Sequence, residues 1–205
     1  FKSLLIERAN QPPKGDLVSM LAHSPMVNMD DQQLLSTLIL LIIGGNDTTR
    51  NSISGGLLAL MKNPNELAKL RADPSLVKSL VPEIIRWQTP LTHMRRTTTR
   101  EVQVRGVTIP AGEKVAMWYL SGNRDEQVIE NADRFVVDRK NPRHHLSFGF
   151  GIHRCVGNRL AEMQIRILWE EILSQNLTFE LMREPERTYS HVVHGFATKP
   201  VKLGR

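Results

Sequence analysis

From Asp30 to Asn63, apolar side chains recur at helical spacing over about thirty residues. A chain can bury a rod of that length only by folding other elements around it. Asp30 or Asp31 offers the cap, and Leu34, Leu35, Leu38, Leu41 and Ile42 fall on one side. Past a polar break the period resumes with Ile53, Leu57, Leu58 and Met61, then stops at Asn63-Pro64. From Met29 the chain reads mostly helical for a third of its length. The longest apolar run, Leu38 to Ile43, is six residues, against roughly 20 for a bilayer-spanning helix. No membrane span is expected.

Shorter elements follow. A helix is predicted around Asn65 to Arg71, and another through Leu80, Val81, Ile84 and Ile85 to about Trp87. Pro82 suits only a first helical turn, so the second of these should begin near Ser79. The period then changes: Val102, Val104, Val107 and Ile109 flank Gly106, and Val115, Met117 and Tyr119 follow Pro110-Ala111-Gly112, which are hairpin signals. A coil is expected from Ser121 to Ser147. A final helix runs from Gly157 to about Leu173, and the tail, Leu177 to Val201, reads as short strands around a turn at Gly195. The fold class is mainly α with small β-sheets.

At 40% hydrophobic and 23% charged residues, the 205-residue composition excludes a disordered chain. A single cysteine excludes a disulfide framework or a multi-cysteine zinc or iron–sulfur site within this chain, and makes a reduced, cytoplasmic setting the expectation. Starting at Phe1-Lys2-Ser3, with no initiator Met and no signal-peptide pattern, it reads as an internal fragment or a processed product. The net charge of +6 is uneven. Between Arg134 and Arg159 lie Arg134, Arg139, Lys140, Arg143, Arg154 and Arg159 against Asp138 alone, a local +5. Such a face is either solubilising or a dock for an acidic partner. The basic residues are not interleaved with a stacking aromatic platform, so nucleic acid is not expected.

Cys155 sits in Ser147-Phe148-Gly149-Phe150-Gly151-Ile152-His153-Arg154-Cys155-Val156-Gly157, at the mouth of the final helix. A lone cysteine is most often an inert packed residue. Three glycines, however, let backbone pass close to a large flat ligand and take positive φ. Their amides would then point at the sulfur. The helix N-terminus, His153 and Arg154 favour the thiolate, the form that ligates metal.

Phe-Gly-x-Gly-x-His-x-Cys-x-Gly, from Phe148 to Gly157, resembles the haem-binding loop of the cytochrome P-450 superfamily. The resemblance implies heme b (iron protoporphyrin IX) with Cys155 as axial ligand, Phe148 and Gly149 shielding and shaping the loop, Gly157 beside it, and His153 on a propionate. Gly44-Gly45-Asn46-Asp47-Thr48-Thr49 is poor helix sequence inside a helical period, which predicts a locally loosened turn over a site. The resemblance makes Asp47 and Thr48 a catalytic proton relay to bound dioxygen, and Gly44 and Gly45 part of the groove over which substrate lies.

Glu83-Ile84-Ile85-Arg86 matches the family's Glu-x-x-Arg pair. Glu180-Leu181-Met182-Arg183 and Glu184-Pro185-Glu186-Arg187 share the spacing, but only Glu83 lies in a strongly helical segment, where an i,i+3 ion pair can form. Its implied role is structural, locking Arg134 behind the haem. In Arg95-Arg96-Thr97 the resemblance puts Arg96, or alternatively Arg95, on a propionate. It also puts Leu91, Thr92 and Met94, with Val192 and Val193, at the substrate pocket. No histidine spacing suggests a metal site.

The match runs from the long helix to the tail, so residues 1–205 read as the C-terminal half of one P-450 domain: long central helix, Glu-x-x-Arg helix, β-hairpins, Cys loop and final helix. Stretches such as Ile42 to Gly56, Glu83 to Pro90, Met117-Trp118-Tyr119, Ser121 to Glu126 and His145 to Arg159 are similar to the bacterial soluble branch that hydroxylates medium-chain alkanes at the terminal carbon. That implies a monooxygenase for alkanes or fatty chains, using O2, a ferredoxin and an NAD(P)H-dependent ferredoxin reductase. A terpenoid or sterol substrate, a haem-thiolate sensor or carrier without turnover, and a Cys–His hydrolase are the alternatives.

Overall fold

The computed structural model describes residues 2–24 and 30–205. Met29, where the helical reading of the sequence begins, lies outside them. The chain falls into two compact units, residues 1–47 and 48–205.

In the first unit α1 (Lys2–Ala9) packs on α2 (Leu17–Ala22) and buries Leu5, Ser19 and Ala22. Asp16 caps α2, accepting from the Ser19 amide at 2.8 Å and from Arg8 Nε at 3.1 Å.

Helix α3 (Asp31–Lys62) gives its first half to this unit and its second half to the next. Asp30 accepts from the Gln33 amide at 2.8 Å, as an N-cap does. Two expectations are corrected on this helix. Residues 44–49 are regular α-helix, not a loosened turn. Two glycines cost about 1 kcal/mol each relative to alanine, too little to interrupt a helix propagating from both sides. The apolar stripe is also less covered than its spacing suggests. Leu38 is 4% exposed, but Leu35 is 53% and Ile42 36% exposed. The sequence is apolar on more sides of the rod than this chain covers.

The second unit holds the main core: Ala59 and Leu60 of α3, Leu70 of α4 (Pro64–Ala72), Leu80, Ile84 and Ile85 of α5 (Val77–Gln88), Phe135, Val137, and Ile165 and Trp169 of α7 (Asn158–Ser174). Close approach brings α3 onto α5. A Cβ at Gly56 would stand 2.6 Å from the Ile84 side chain, and one at Gly55 would clash with Gln88.

Pro82 corrects a third expectation. Helix α5 starts at Val77, straight after a 3-10 turn over Pro74–Leu76, so Pro82 occupies its second turn. The carbonyl that loses a partner belongs to Lys78, an exposed residue, where water can replace the missing amide.

Strands β1 (His93–Thr97) and β4 (Lys114–Trp118) pair antiparallel, with α6 (Tyr119–Gly122) following. β2 (Val102–Val104) and β3 (Val107–Ile109) form a hairpin whose two turn residues, Arg105 and Gly106, both have positive φ, the tight geometry that matches strand twist. In the tail β5 (Thr178–Leu181) pairs with β8 (Val201–Gly204), and β6 (Glu186–Arg187) with β7 (Phe196–Thr198) nested between them. Among the described residues, no helix is long and apolar enough to cross a membrane.

Candidate active site

The Cys155 loop is a closed turn. Gly149 and Gly151 take φ of +67° and +72°, which glycine reaches without strain. The Gly149 amide bonds Leu146 O at 2.8 Å, and the Cys155 amide bonds Phe148 O at 2.8 Å. Of the loop amides expected to point at the sulfur, that of Gly149 is committed instead to Leu146 O, and the Cys155 amide closes the turn. A Cβ at Gly149 would stand 3.1 Å from the Tyr119 hydroxyl, so a larger residue would press on α6. A Cβ at Gly157 would only touch the sulfur, at 4.0 Å. Phe148 packs on the main core, while Phe150, Ile152 and Val156 are 83%, 97% and 93% exposed. Cys155 and His153 are exposed beside them. An exposed thiol set among bare apolar side chains and a basic histidine suits a large flat apolar group bearing carboxylates.

The loop is anchored from beneath. Asn123, fully buried, accepts from the Leu146 amide at 2.7 Å and donates to Ser147 Oγ and Thr89 Oγ1, each at 2.8 Å. Ser147 Oγ in turn donates to Ile85 O at 2.8 Å. Thr89 is a β-branched residue at φ +41°, a strained position that over-determined packing must hold. Burial pushes the His145 ring down to about 4, with the Arg154 and Arg86 charges adding to it against Glu162. The neutral ring leaves Nδ1 able to accept from the Ser147 amide at 3.3 Å. Asn123→Ala would remove three hydrogen bonds at once, those to the Leu146 amide, Ser147 Oγ and Thr89 Oγ1. It is expected to cost about 2–3 kcal/mol in urea denaturation and to raise proteolysis near residues 146–157.

Glu83 and Arg86 are both fully buried. Glu83 Oε2 accepts from Arg86 Nε and Arg139 Nε, each at 2.8 Å; Oε1 accepts from Arg86 Nη2 at 2.8 Å and the Val136 amide at 2.9 Å. Arg86 also donates to Asn123 O, Ala132 O and Arg134 O at 2.7, 2.8 and 2.9 Å. Arg134 thus enters through its carbonyl while its side chain is exposed. The second cation on Glu83 is Arg139, which the sequence reading counted only as surface charge. The other two Glu-x-x-Arg matches lie outside the helices, with Glu180, Arg183, Glu184, Glu186 and Arg187 all exposed.

This trims the basic window. Arg139 is committed to Glu83, and Glu162 holds Arg143 at 3.1 Å and Arg159 at 4.0 Å. Arg143 and Arg159 stay exposed in these pairs, as do Arg134, Lys140 and Arg154.

Arg96 lies on β1, with Nη1 on Arg95 O at 2.9 Å. Strand alternation sends Arg95 and Arg96 to opposite faces, so they cannot serve one ligand equally. Asp47 and Thr48 are consecutive, half-buried positions of α3. Gly44 and Gly45 precede them, with open space where a Cβ would be. Met94 is 41% and Val192 37% exposed. Leu91 forms a β-bridge with Val193, so the structure brings together the two segments expected at the substrate pocket. Gly195, just beyond, is so close to Asn51 of α3 that a Cβ would stand 2.6 Å from its side chain. Asn51 is one helical turn after Thr48. Thr92 is only 8% exposed, its hydroxyl donating to His191 O at 2.6 Å.

The family model described as Cytochrome P450 matches residues 8–204. The chain belongs to the cytochrome P450 family. Linalool 8-monooxygenase of Pseudomonas putida is 38% identical over 205 residues, covering 99% of this chain and 50% of that protein. Methyl-branched lipid omega-hydroxylase of Mycobacterium bovis is 39% identical over 206 residues, covering 98% and 48%. The solved structure of Cytochrome P450-153 from Novosphingobium aromaticivorans is 50% identical, with a TM-score of 0.95, and covers 100% of this chain and 51% of that one. The chain spans about half the length of the curated relatives it matches.

Membership in the P450 family implies a haem held by a cysteine thiolate, and Cys155 is the single cysteine here. The P450 reading assigns the buried Glu83–Arg86–Arg139 cluster to scaffolding, since none of the three presents a free polar atom to a ligand. Asn123 and Arg139 were missed by sequence reasoning. Asn123 lies in Ser121-Gly122-Asn123-Arg124, which carried the resemblance without a role. Arg139 could have been suspected only as a third charge near a buried ion pair.

Proposed function

We propose that a polypeptide of its relatives' length containing this chain is a haem-thiolate monooxygenase that hydroxylates the terminal carbon of medium-chain alkanes or fatty chains. Heme b, when bound, supplies the activation of dioxygen for C–H insertion. Cys155 would hold it, the exposed Phe150, Ile152 and Val156 would meet its apolar surroundings, and Arg96 and His153 would take its carboxylates.

The observation that carries the proposal is the exposed thiol on a glycine turn, buttressed by the fully buried Asn123. Thr48 offers a hydroxyl and Asp47 a carboxylate for moving protons. Gly44 and Gly45 leave room over the helix, and Leu91, Met94, Val192 and Val193 present apolar surface that excludes water and orients a chain. Arg134, Lys140 and Arg154 form a face for an acidic ferredoxin, reduced in turn by an NAD(P)H-dependent reductase, in the cytoplasm. The omega-hydroxylase among the relatives supports terminal oxidation of a lipid chain, while the linalool enzyme favours a terpenoid as the second reading.

The test is product analysis with ferredoxin, reductase and NADH, offering dodecane, dodecanoic acid and linalool. Terminal alcohols from the first two are expected. Oxidation of linalool alone would replace the substrate assignment.

A further inference from the structure

A cavity of about 210 Å³ opens in the second unit, between the end of α3, α4, the end of α7 and β5. Leu57, Met61, Leu67, Ile172, Phe179 and Leu181 line it, all half-buried. Leu60 and Trp169, each 1% exposed, belong to its wall. Ile172 lies toward the far end of α7 from the Cys loop, about 20 Å along the helix, which separates the cavity from the Cys155 site.

Two charged residues border this apolar space, Lys62 and Arg71. Lys62 is matched by Glu184 at 3.0 Å. Arg71 is exposed and pairs with no carboxylate among the described residues. Its Nη2 donates at 2.8 Å to the carbonyl of Leu177, itself a lining residue, so the guanidinium is held beside the cavity with its other N–H groups still to be used. Water gains little here, because a trapped molecule needs roughly two to four polar partners. A dry cavity of about 150 Å³ admits benzene, and by that scale this one takes a chain of about eight carbons. A carboxylate head on the planar guanidinium would stay at the mouth, where solvent spares it the cost of burying a charge. An alcohol would make the same apolar contacts but only a neutral hydrogen bond, about half as strong.

We propose that this cavity is a second binding site, for a medium-chain carboxylate whose chain lies among the half-buried apolar side chains and whose head pairs with Arg71. The site does not depend on which substrate the haem pocket takes.

The test uses the complete haem enzyme with its methionine methyls labelled with carbon-13. Met61 lines the cavity, so its methyl resonance, assigned with Met61→Leu, reports occupancy there, while the haem absorption reports binding over the haem. Octanoate is expected to shift the Met61 signal saturably. Arg71→Gln should raise the Kd read from that signal about tenfold, and octan-1-ol should bind the unaltered enzyme about tenfold more weakly than octanoate. Leu181→Trp, which fills the space, should abolish the Met61 shift and leave the haem response to octanoate as it was. If Leu181→Trp does not fold, Arg71→Gln decides, since its position is exposed. In crystals soaked with 8-bromooctanoate, the bromine anomalous signal should lie in the cavity.

An unmoved Met61 signal in the unaltered enzyme overturns the proposal. So does an Arg71→Gln variant that binds octanoate as tightly as the parent, or a Met61 shift that persists in folded Leu181→Trp. Bromine in the cavity without a Met61 shift in solution would mean binding at crystal concentration only, and overturns it as well.

Discussion

Glu83→Gln is expected to destabilise the protein by about 3–5 kcal/mol, the cost of breaking a buried ion pair from one side. The reason lies in what the substitution leaves behind. Arg86 is fully buried and Arg139 nearly so, and both point their Nε groups at the same carboxylate oxygen at 2.8 Å. A neutral amide cannot balance two guanidiniums in a dry site, and its NH2 would face donors where the carboxylate offered acceptors. The backbone suffers with it, because Arg86 also gathers the carbonyls of Asn123, Ala132 and Arg134. The segment that leads to the Cys loop is therefore expected to loosen together with α5. Urea denaturation with an unchanged m-value checks this. The contrast is Glu184→Gln, which breaks only the exposed pair with Lys62 and should move stability by less than about 0.5 kcal/mol. Equal effects from the two variants would refute the assigned role of the trio.

The second large effect is chemical. Cys155→Ser should reduce product formation to the level of the haem-free background while leaving the fold in place. The side chain is exposed, so the fold does not depend on burying it, and the loop closes through the Cys155 amide, which serine retains. Serine differs in the one property at issue, the soft thiolate that donates charge to iron. Circular dichroism and urea denaturation should match the parent protein. A variant that keeps its turnover would show that the sulfur is dispensable. One that unfolds would show that the loop depends on more than its hydrogen bonds.

Much of this is legible in the amino-acid sequence. The helical period located α3, α4, α5 and α7, and the glycines around Cys155 fixed the turn that presents it. Local spacing failed where distant residues decide the outcome. Pro82 entered the second turn of α5 because the residue whose carbonyl it leaves unpaired, Lys78, is exposed. The Gly44-Gly45 turn stayed helical because propagation from both sides outweighs a small propensity penalty. Arg139 is 56 residues from Glu83, and nothing in its neighbourhood distinguishes it from the surface arginines beside it. Asn123 reaches forward to Leu146 and back to Thr89, connections that only the folded chain reveals. Whether the Thr92 hydroxyl faces solvent or the tail depends on where residues 190–193 come to lie, which spacing within its own segment does not reveal.

The most direct test of the central claim is X-ray absorption at the iron edge of the purified complete enzyme, beside its Cys155→Ser variant. The account predicts a sulfur neighbour at the iron in the first and its absence in the second. A first shell of nitrogen and oxygen alone in the unaltered enzyme, or sulfur persisting in the variant, would contradict it.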